Sequence, residues 1–138
     1  MTHTPKDIMV KSEGSRIKDS VNKPKNSPNP TKWQKKGGEI KIDENGTWIY
    51  TNKDGIKVAY KKGYPDFKRA GLVEQEVDIN SFNDYYTDFK KADAFAERKK
   101  RIENTWHHHE DGKTMQEVNK KIHREFTHRG GMSLKRKN

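Results

Sequence analysis

Five of the chain's six histidines lie within 22 residues, from His107 to His128. Imidazole is the commonest side-chain metal ligand in proteins, and it titrates closer to neutral pH than any other side chain. Such a cluster can hold a divalent metal ion, move a proton, or do both. The chain contains no cysteine, so thiolate zinc sites, disulfides and cysteine nucleophiles are excluded. Any metal must therefore be held by histidine, carboxylate or amide groups.

The residues around the histidines predict the elements that position them. A strand, a tight turn, a return strand and a helix are predicted in that order, over Thr105-Trp106, Asp111-Gly112, Met115 to Val118 and residues 120–127. Asn119 is a good N-cap for this helix, and Gly130-Gly131 would end it. We therefore expect a β-hairpin followed by a helix over about residues 104–131.

Within this segment the histidines fall into two groups. His107 and His108 are adjacent on the first predicted strand, so their side chains should point to opposite faces. One imidazole could then bind a metal while its neighbour activates water. His123 and His128 are five residues apart, whereas a separation of four would place them on one helix face, so His128 should sit where the helix tightens, widens or ends. His109 could replace His107 as a ligand; a solvated position at the strand edge is the simpler interpretation.

Composition indicates one small domain with a flexible extension and a polyanionic partner. The 138 residues are 28% hydrophobic and 36% charged, with a net charge of +10. Residues 1–31 are rich in proline, lysine, serine and asparagine, so we predict a flexible basic linker or tail there, followed by a folded domain over 32–138. No apolar run approaches the roughly 18 residues that cross a bilayer, and the first residues do not form a signal peptide.

Upstream of the histidines, turn residues predict a small antiparallel sheet. Asn45-Gly46 and Asp54-Gly55 separate three alternating runs, so a three-stranded meander is predicted over about residues 39–60. Residues 63–67 are predicted to form a loop, because Pro65 excludes a central strand. Val73, Val77 and Ile79 indicate an extended or irregular passage after that loop.

An amphipathic helix is predicted between this passage and the histidines. Ser81 or Asn83 could cap it, and its apolar residues recur at three- and four-residue spacing through Phe95 and Ala96. We predict that it ends in four cations, Arg98, Lys99, Lys100 and Arg101. Each of these could neutralise a phosphate without reading sequence, although a solvated helix end explains any one of them equally well.

Several of these residues follow the pattern of a known family: Trp106-His107-His108, Gly112, Met115-Gln116, Val118, His123, His128 and Gly130-Gly131. On these residues the chain resembles the WHH nucleases of the HNH/endonuclease VII superfamily, which occur as C-terminal toxin domains of bacterial polymorphic toxins. The predicted meander and residues 63–67 are similar to the upstream half of that family. The resemblance covers roughly residues 32–138 and is most specific from Trp106 to Gly131.

The resemblance implies an α+β fold in which an antiparallel β-meander and a helix are followed by a ββα-metal (HNH or His-Me finger) nuclease motif. It implies that His107, His123 and His128 bind the metal, and that His108 is the general base that deprotonates the attacking water. The metal would bind a non-bridging phosphate oxygen and stabilise the leaving 3′ oxygen. Two features depart from the pattern: no residue clearly matches the central asparagine of the HNH motif, and four residues separate the last two histidines instead of three.

The resemblance also implies a cofactor and partners. The cofactor would be a divalent metal ion (zinc, magnesium, manganese or nickel), and an all-histidine ligand set favours zinc or another late transition metal over magnesium. The substrate would be nucleic acid, with DNA favoured and RNA possible. A cognate acidic immunity protein is expected, together with secretion or delivery from a bacterium and action in the target-cell cytoplasm. The alternatives are an RNase toxin with the same site, or a non-catalytic nucleic-acid-binding module whose structural metal is held by His107, His109, His123 and His128.

Overall fold

The computed structural model describes residues 8–10 and 23–127. The chain forms two compact units, Met1–Asp66 and Phe67–Asn138. Each described unit combines antiparallel strands with one or two helices, which confirms the predicted α+β class. Within the described residues no helix is long and apolar enough to cross a membrane.

The first unit is built on a five-stranded antiparallel sheet in the order β1-β2-β3-β4-β5. Its strands are β1 (Ile8–Val10), β2 (Glu39–Ile42), β3 (Trp48–Thr51), β4 (Lys57–Lys61) and β5 (Tyr64–Pro65), and its helix is α1 (Pro30–Lys35). The predicted meander over 39–60 is confirmed, with Gly46 and Gly55 at positive φ in its turns. The loop predicted at 63–67 contains the two-residue edge strand β5, where a proline is tolerated because its nitrogen need not pair.

The folded part of the first unit begins earlier in the chain than predicted. Asn26 and Ser27 are buried, and the hydroxyl of Tyr50 donates a hydrogen bond to the carbonyl of Pro28 at 2.8 Å. The indole of Trp33 on α1 is also buried and donates to backbone carbonyls of the sheet. This part of the predicted flexible linker is therefore folded, and β1 belongs to the sheet. Residues 1–7 and 11–22 of that linker lie outside the described residues.

The second unit carries the histidines. Its elements are β6 (Glu76–Asp78), α2 (Tyr85–Phe95), β7 (Asn104–His108), β8 (Thr114–Asn119) and α3 (Lys120–Phe126). The strands form an antiparallel sheet in the order β6-β8-β7. The predicted hairpin and helix are confirmed: Gly112 turns at positive φ between β7 and β8, and the Asn119 side chain accepts from two backbone N–H groups of α3.

Three boundaries in this unit differ from the predictions. The N-cap of α2 is Asp84, not Ser81 or Asn83, because the Asp84 side chain accepts from the N–H of Thr87. The helix ends at Phe95, so the four cations from Arg98 to Arg101 lie in the loop before β7 and not on the helix. Helix α3 ends at Phe126 with Thr127 as its C-cap, and so not at Gly130-Gly131 as predicted. The passage predicted as extended or irregular is partly extended, because it contains strand β6, which pairs with β8.

The apolar core of the second unit lies between α2 and one face of the sheet. It comprises Val77, Ile79, Phe82, Ala92, Trp106 and Met115, with Phe89 and Ala96 packed against it. Trp106 anchors β7 to α2, because its indole N–H donates to a carboxylate oxygen of Asp93 at 2.8 Å. This packing fixes the face of β7 that points towards α2, and therefore the direction of each histidine on the strand.

Candidate active site

Strand β7 presents His107 and His108 to opposite faces of its sheet. His107 pairs across the hairpin with Gln116, and His108 pairs with Met115 of the apolar core. Cross-strand partners share a face, so His108 lies on the α2 face and His107 on the other. Both side chains are buried, at 1% and 3% exposure. The hairpin therefore separates the two adjacent imidazoles into different surroundings.

His107 meets a second histidine, on α3. Its Nδ1 lies 3.0 Å from Nε2 of His123, and the ring of Phe67 packs edge-on against it with centroids 5.0 Å apart. Burial lowers the pKa of His107 well below its ordinary value, and the neighbouring His123 lowers it further. Burial likewise lowers the pKa of His123 to about 4. Both imidazoles are therefore neutral near pH 7, and each keeps one nitrogen lone pair.

His108 meets a carboxylate. Its Nε2 lies 3.1 Å from Oδ2 of Asp88, a residue of α2 that is fully buried. Aromatic rings of Phe82, Tyr85 and Phe89 surround the imidazole, with centroids 4.5, 4.9 and 5.9 Å away. Burial lowers the pKa of His108, while its hydrogen bond to Asp88 and the charge of that carboxylate act in the opposite direction.

His109 is the remaining histidine in the part of the chain that the structure describes, and it joins neither pair. His109 is about one third exposed, and its Nδ1 accepts from the N–H of Asp111 at 3.0 Å in the hairpin turn. His128, the third predicted metal ligand, lies outside the described residues, as does Gly130-Gly131. Across residues 23–127 no group of three histidine or carboxylate side chains is close enough to hold a metal ion. The described structure therefore brings together His107 and His123 of the predicted ligand set.

The four predicted phosphate-binding cations differ in how far the protein itself uses them. The Arg98 guanidinium donates to the carbonyl of Glu74, and the Arg101 guanidinium pairs with the Glu74 carboxylate at 3.1 Å. Lys100 donates to the carbonyl of Asn104 at 3.1 Å. Lys99 is exposed and makes no ion pair or hydrogen bond to the described residues. It is the cation of this loop with most freedom to meet a phosphate.

Two buried carboxylates shape this region and were not predicted from the sequence. Asp88 is the partner of His108. Glu117 accepts from the Gln75 amide, the Asn104 amide and the backbone N–H of Arg101, at 2.8, 2.8 and 2.9 Å. Burial acts to raise the pKa of Glu117, but these hydrogen bonds outweigh it and hold the pKa below its ordinary value. Each carboxylate finds its partners through tertiary packing, so spacing along the chain carries no signal for either.

Comparison with known protein families identifies one that matches this chain. Residues 57–130 match the DNase/tRNase domain of colicin-like bacteriocins, and this match spans just over half of the chain. No curated protein gives a significant match. The chain therefore belongs to the family of DNase/tRNase domains of colicin-like bacteriocins, and it is a nuclease toxin domain.

Proposed function

We propose that this nuclease toxin domain is a metal-dependent endonuclease that hydrolyses phosphodiester bonds in DNA. The observation that carries the proposal is the convergence of two neutral imidazole nitrogens, Nδ1 of His107 and Nε2 of His123, 3.0 Å apart. In a tetrahedral site with Zn–N bonds of about 2.0–2.1 Å, two ligand nitrogens lie about 3.3 Å apart. The pair can accept an ion between two lone pairs after a small adjustment of this distance and a move of the shared proton to the far nitrogen of its ring.

His107, His123 and His128 form the proposed ligand set, and the chemistry of the first two fits this role. A metal-binding imidazole must be unprotonated, and burial favours the neutral form of both. Three imidazoles favour zinc or nickel over magnesium or manganese. When bound, the ion supplies positive charge that stabilises the phosphate and the leaving 3′ oxygen.

His108 is the proposed general base that takes a proton from the attacking water. Its position on β7 supports this role, because β7 lies at the edge of its sheet in the described structure. The Cα atoms of His107 and His108 are neighbours about 3.8 Å apart. A phosphodiester bound at this edge would have to reach the ligand histidine on one face and the base on the other.

The substrate and the biological setting follow from charge and family. The net charge of +10 suits a polyanion, and Lys99 is positioned in an exposed loop next to β7. We propose that the domain is the WHH-type toxic end of a polymorphic toxin, delivered from a bacterium into the cytoplasm of a target cell. The producing cell then needs a cognate immunity protein, whose surface should be acidic to complement this one. An RNase acting through the same residues is the second candidate, since the matched family includes tRNases.

The test is a cleavage assay on metal-free protein with added Zn²⁺, Ni²⁺ or Mg²⁺. Plasmid DNA, tRNA and ribosomal RNA serve as parallel substrates, and His108→Ala and His109→Ala are compared with wild type. We expect metal-dependent nicking of the plasmid, a loss of about 10²–10⁴-fold in His108→Ala, and little change in His109→Ala. Metal-independent cleavage would contradict the proposed metal site. Cleavage of RNA without cleavage of DNA would favour the second candidate, an RNase. Full activity of His108→Ala, with loss in His109→Ala, assigns the base to His109.

A further inference from the structure

Asp88 is a buried carboxylate to which the proposed function gives no role. It is fully buried in the first turn of α2, and its two oxygens accept from the backbone N–H of Asn83 at 2.9 and 3.0 Å. Oδ2 is also the atom that faces His108. The backbone N–H of Asn83 therefore fixes the orientation of the carboxylate, and Oδ2 faces a single nitrogen of the His108 imidazole.

This contact determines where the proton of neutral His108 resides. Both oxygens of Asp88 act as acceptors towards the Asn83 N–H, so the hydrogen bond at this contact has its proton on Nε2 of His108. The other nitrogen, Nδ1, is then left with its lone pair. Among the described residues, Nδ1 of His108 has no hydrogen-bond partner. The pair therefore presents the imidazole with its basic nitrogen directed away from Asp88.

The surrounding rings hold the imidazole in this orientation. Phe82 and Tyr85 meet it edge-on, at interplanar angles of 85° and 86°, and Phe89 lies at 29° to it on α2. A flip of the imidazole would place a carbon against the carboxylate and leave a buried oxygen of Asp88 without this hydrogen bond, which is unfavourable. Ring packing and the hydrogen bond thus favour the same rotamer of His108. The hydrogen bond also sets its tautomer.

We infer that Asp88 is a positioning residue for cleavage, which holds His108 in the tautomer whose Nδ1 can take a proton from water. The inference rests on the proposed role of His108 as the base. When Nδ1 accepts the proton, the imidazole becomes a cation hydrogen-bonded to a carboxylate, which stabilises it. Asp88 itself touches neither substrate nor metal.

Asp88→Asn tests this role with almost no change in shape. The carboxamide can donate to Nε2 from the position of Oδ2, which would move the imidazole proton to Nδ1 and block the base. We expect kcat to fall by about 10²–10⁴-fold, with KM and the midpoint of Zn²⁺ activation changed by less than about threefold. The matched control is Asp93→Asn on the same helix. Its remaining oxygen can still accept from the Trp106 indole, so kcat should stay within about threefold of wild type.

The second readout is the tautomer of His108, measured by ¹⁵N–¹H correlation of the ring nitrogens in the metal-free protein. Wild type should carry the proton on Nε2 and Asp88→Asn on Nδ1. Wild-type protein protonated on Nδ1 would overturn the inference even if the variant failed to fold. So would an Asp88→Asn variant with wild-type kcat, or one that lost kcat with an unchanged tautomer. His108→Ala is assayed in parallel: if it is inactive while Asp88→Asn is active, only the role of Asp88 fails, whereas an active His108→Ala removes the proposed base as well.

Discussion

His107 and His108 are adjacent on β7 and almost equally buried, yet their imidazoles meet different kinds of partner. His107 faces another imidazole across 3.0 Å, and His108 faces a carboxylate across 3.1 Å. Two facing neutral imidazoles carry no negative charge, and both can turn a lone pair to a cation brought from outside once the proton between them moves to the far nitrogen of its ring. An imidazole that faces a carboxylate can itself become the cation. The partner that each imidazole meets is the basis on which we propose metal binding for His107 and proton transfer for His108.

The largest expected effect comes from breaking the imidazole pair. His123→Ala removes one proposed ligand, and the loss of charge stabilisation at the phosphate is worth several kcal/mol. We expect cleavage to fall by at least about a thousandfold, since each 1.36 kcal/mol corresponds to tenfold in rate. Cleavage rates at saturating Zn²⁺ measure this. A variant that recovers wild-type rate at high Zn²⁺ would show that His123 assists metal binding without being essential to it.

Glu117, a third buried polar residue of the same hairpin, should contribute to stability and not to cleavage. Glu117→Gln replaces one acceptor oxygen by a donor that faces the donors of its partners, so we expect a loss of about 1.5–3 kcal/mol in the free energy of unfolding. Cleavage well below the melting temperature should change little. Urea unfolding at neutral pH provides the measurement. Loss of activity without loss of stability would give Glu117 a chemical role.

Glu117→Gln also tests how the free energy of unfolding depends on pH. Because the pKa of Glu117 is lower in the folded protein than its ordinary value of 4.5, its ionisation stabilises the fold above that value. This contribution is lost as the pH falls through the lower, folded pKa. Acidification should therefore destabilise wild type more than Glu117→Gln, and the difference between their unfolding free energies should shrink below about pH 4.5. A difference that stays constant into acid would contradict ionised Glu117.

The aromatic contacts allow a milder test of the two faces. Phe67→Leu and Phe82→Leu each remove a ring that packs on one histidine, and each should cost about 1 kcal/mol of stability. We expect Phe67→Leu to weaken Zn²⁺ affinity several-fold, since it loosens His107. Phe82→Leu should instead lower kcat at saturating metal and leave the affinity unchanged. Zn²⁺ titrations of both variants separate these outcomes. An equal loss of Zn²⁺ affinity in both would contradict separate roles for the two faces of the sheet.

The smallest expected effect lies outside the histidine pairs. Lys99→Ala should weaken DNA binding two- to threefold at moderate salt and reduce the slope of log K against log salt by about 0.9, the value for one phosphate contact. Lys57→Ala removes the same charge from an exposed position on β4 and serves as the control. Equal effects of the two variants would indicate a general charge effect and no particular contact at Lys99.

Local rules were enough to predict the scaffold of the site. Asp111-Gly112 encodes its own turn geometry, Asn119 caps α3 with its own side chain, and strand alternation sends His107 and His108 to opposite faces. None of these features requires knowledge of a distant residue. The hairpin, the helix start and the separation of the adjacent histidines could therefore be predicted from spacing.

The surroundings of the histidines could not be predicted in this way. Asp88 meets His108 across 20 positions of sequence, because α2 packs on one face of the sheet. The end of α2 is also decided by distant contacts. Four cations favour a helix C-terminus, but the Arg101 N–H donates to Glu117 and the Arg98 carbonyl accepts from Gln75. These hydrogen bonds hold residues 98–101 in a loop, so a tertiary network overrides the local preference.

The most direct test of the division between the faces is the Zn²⁺-induced rise in melting temperature of His107→Ala and His108→Ala. A ligand at 100 times its Kd stabilises a fold by about 2.7 kcal/mol, which a thermal melt resolves easily. Both variants should lose cleavage. We expect His108→Ala to keep the full Zn²⁺-induced rise and His107→Ala to lose it. A rise that is kept in both variants, or lost in both, would contradict separate roles for the two histidines.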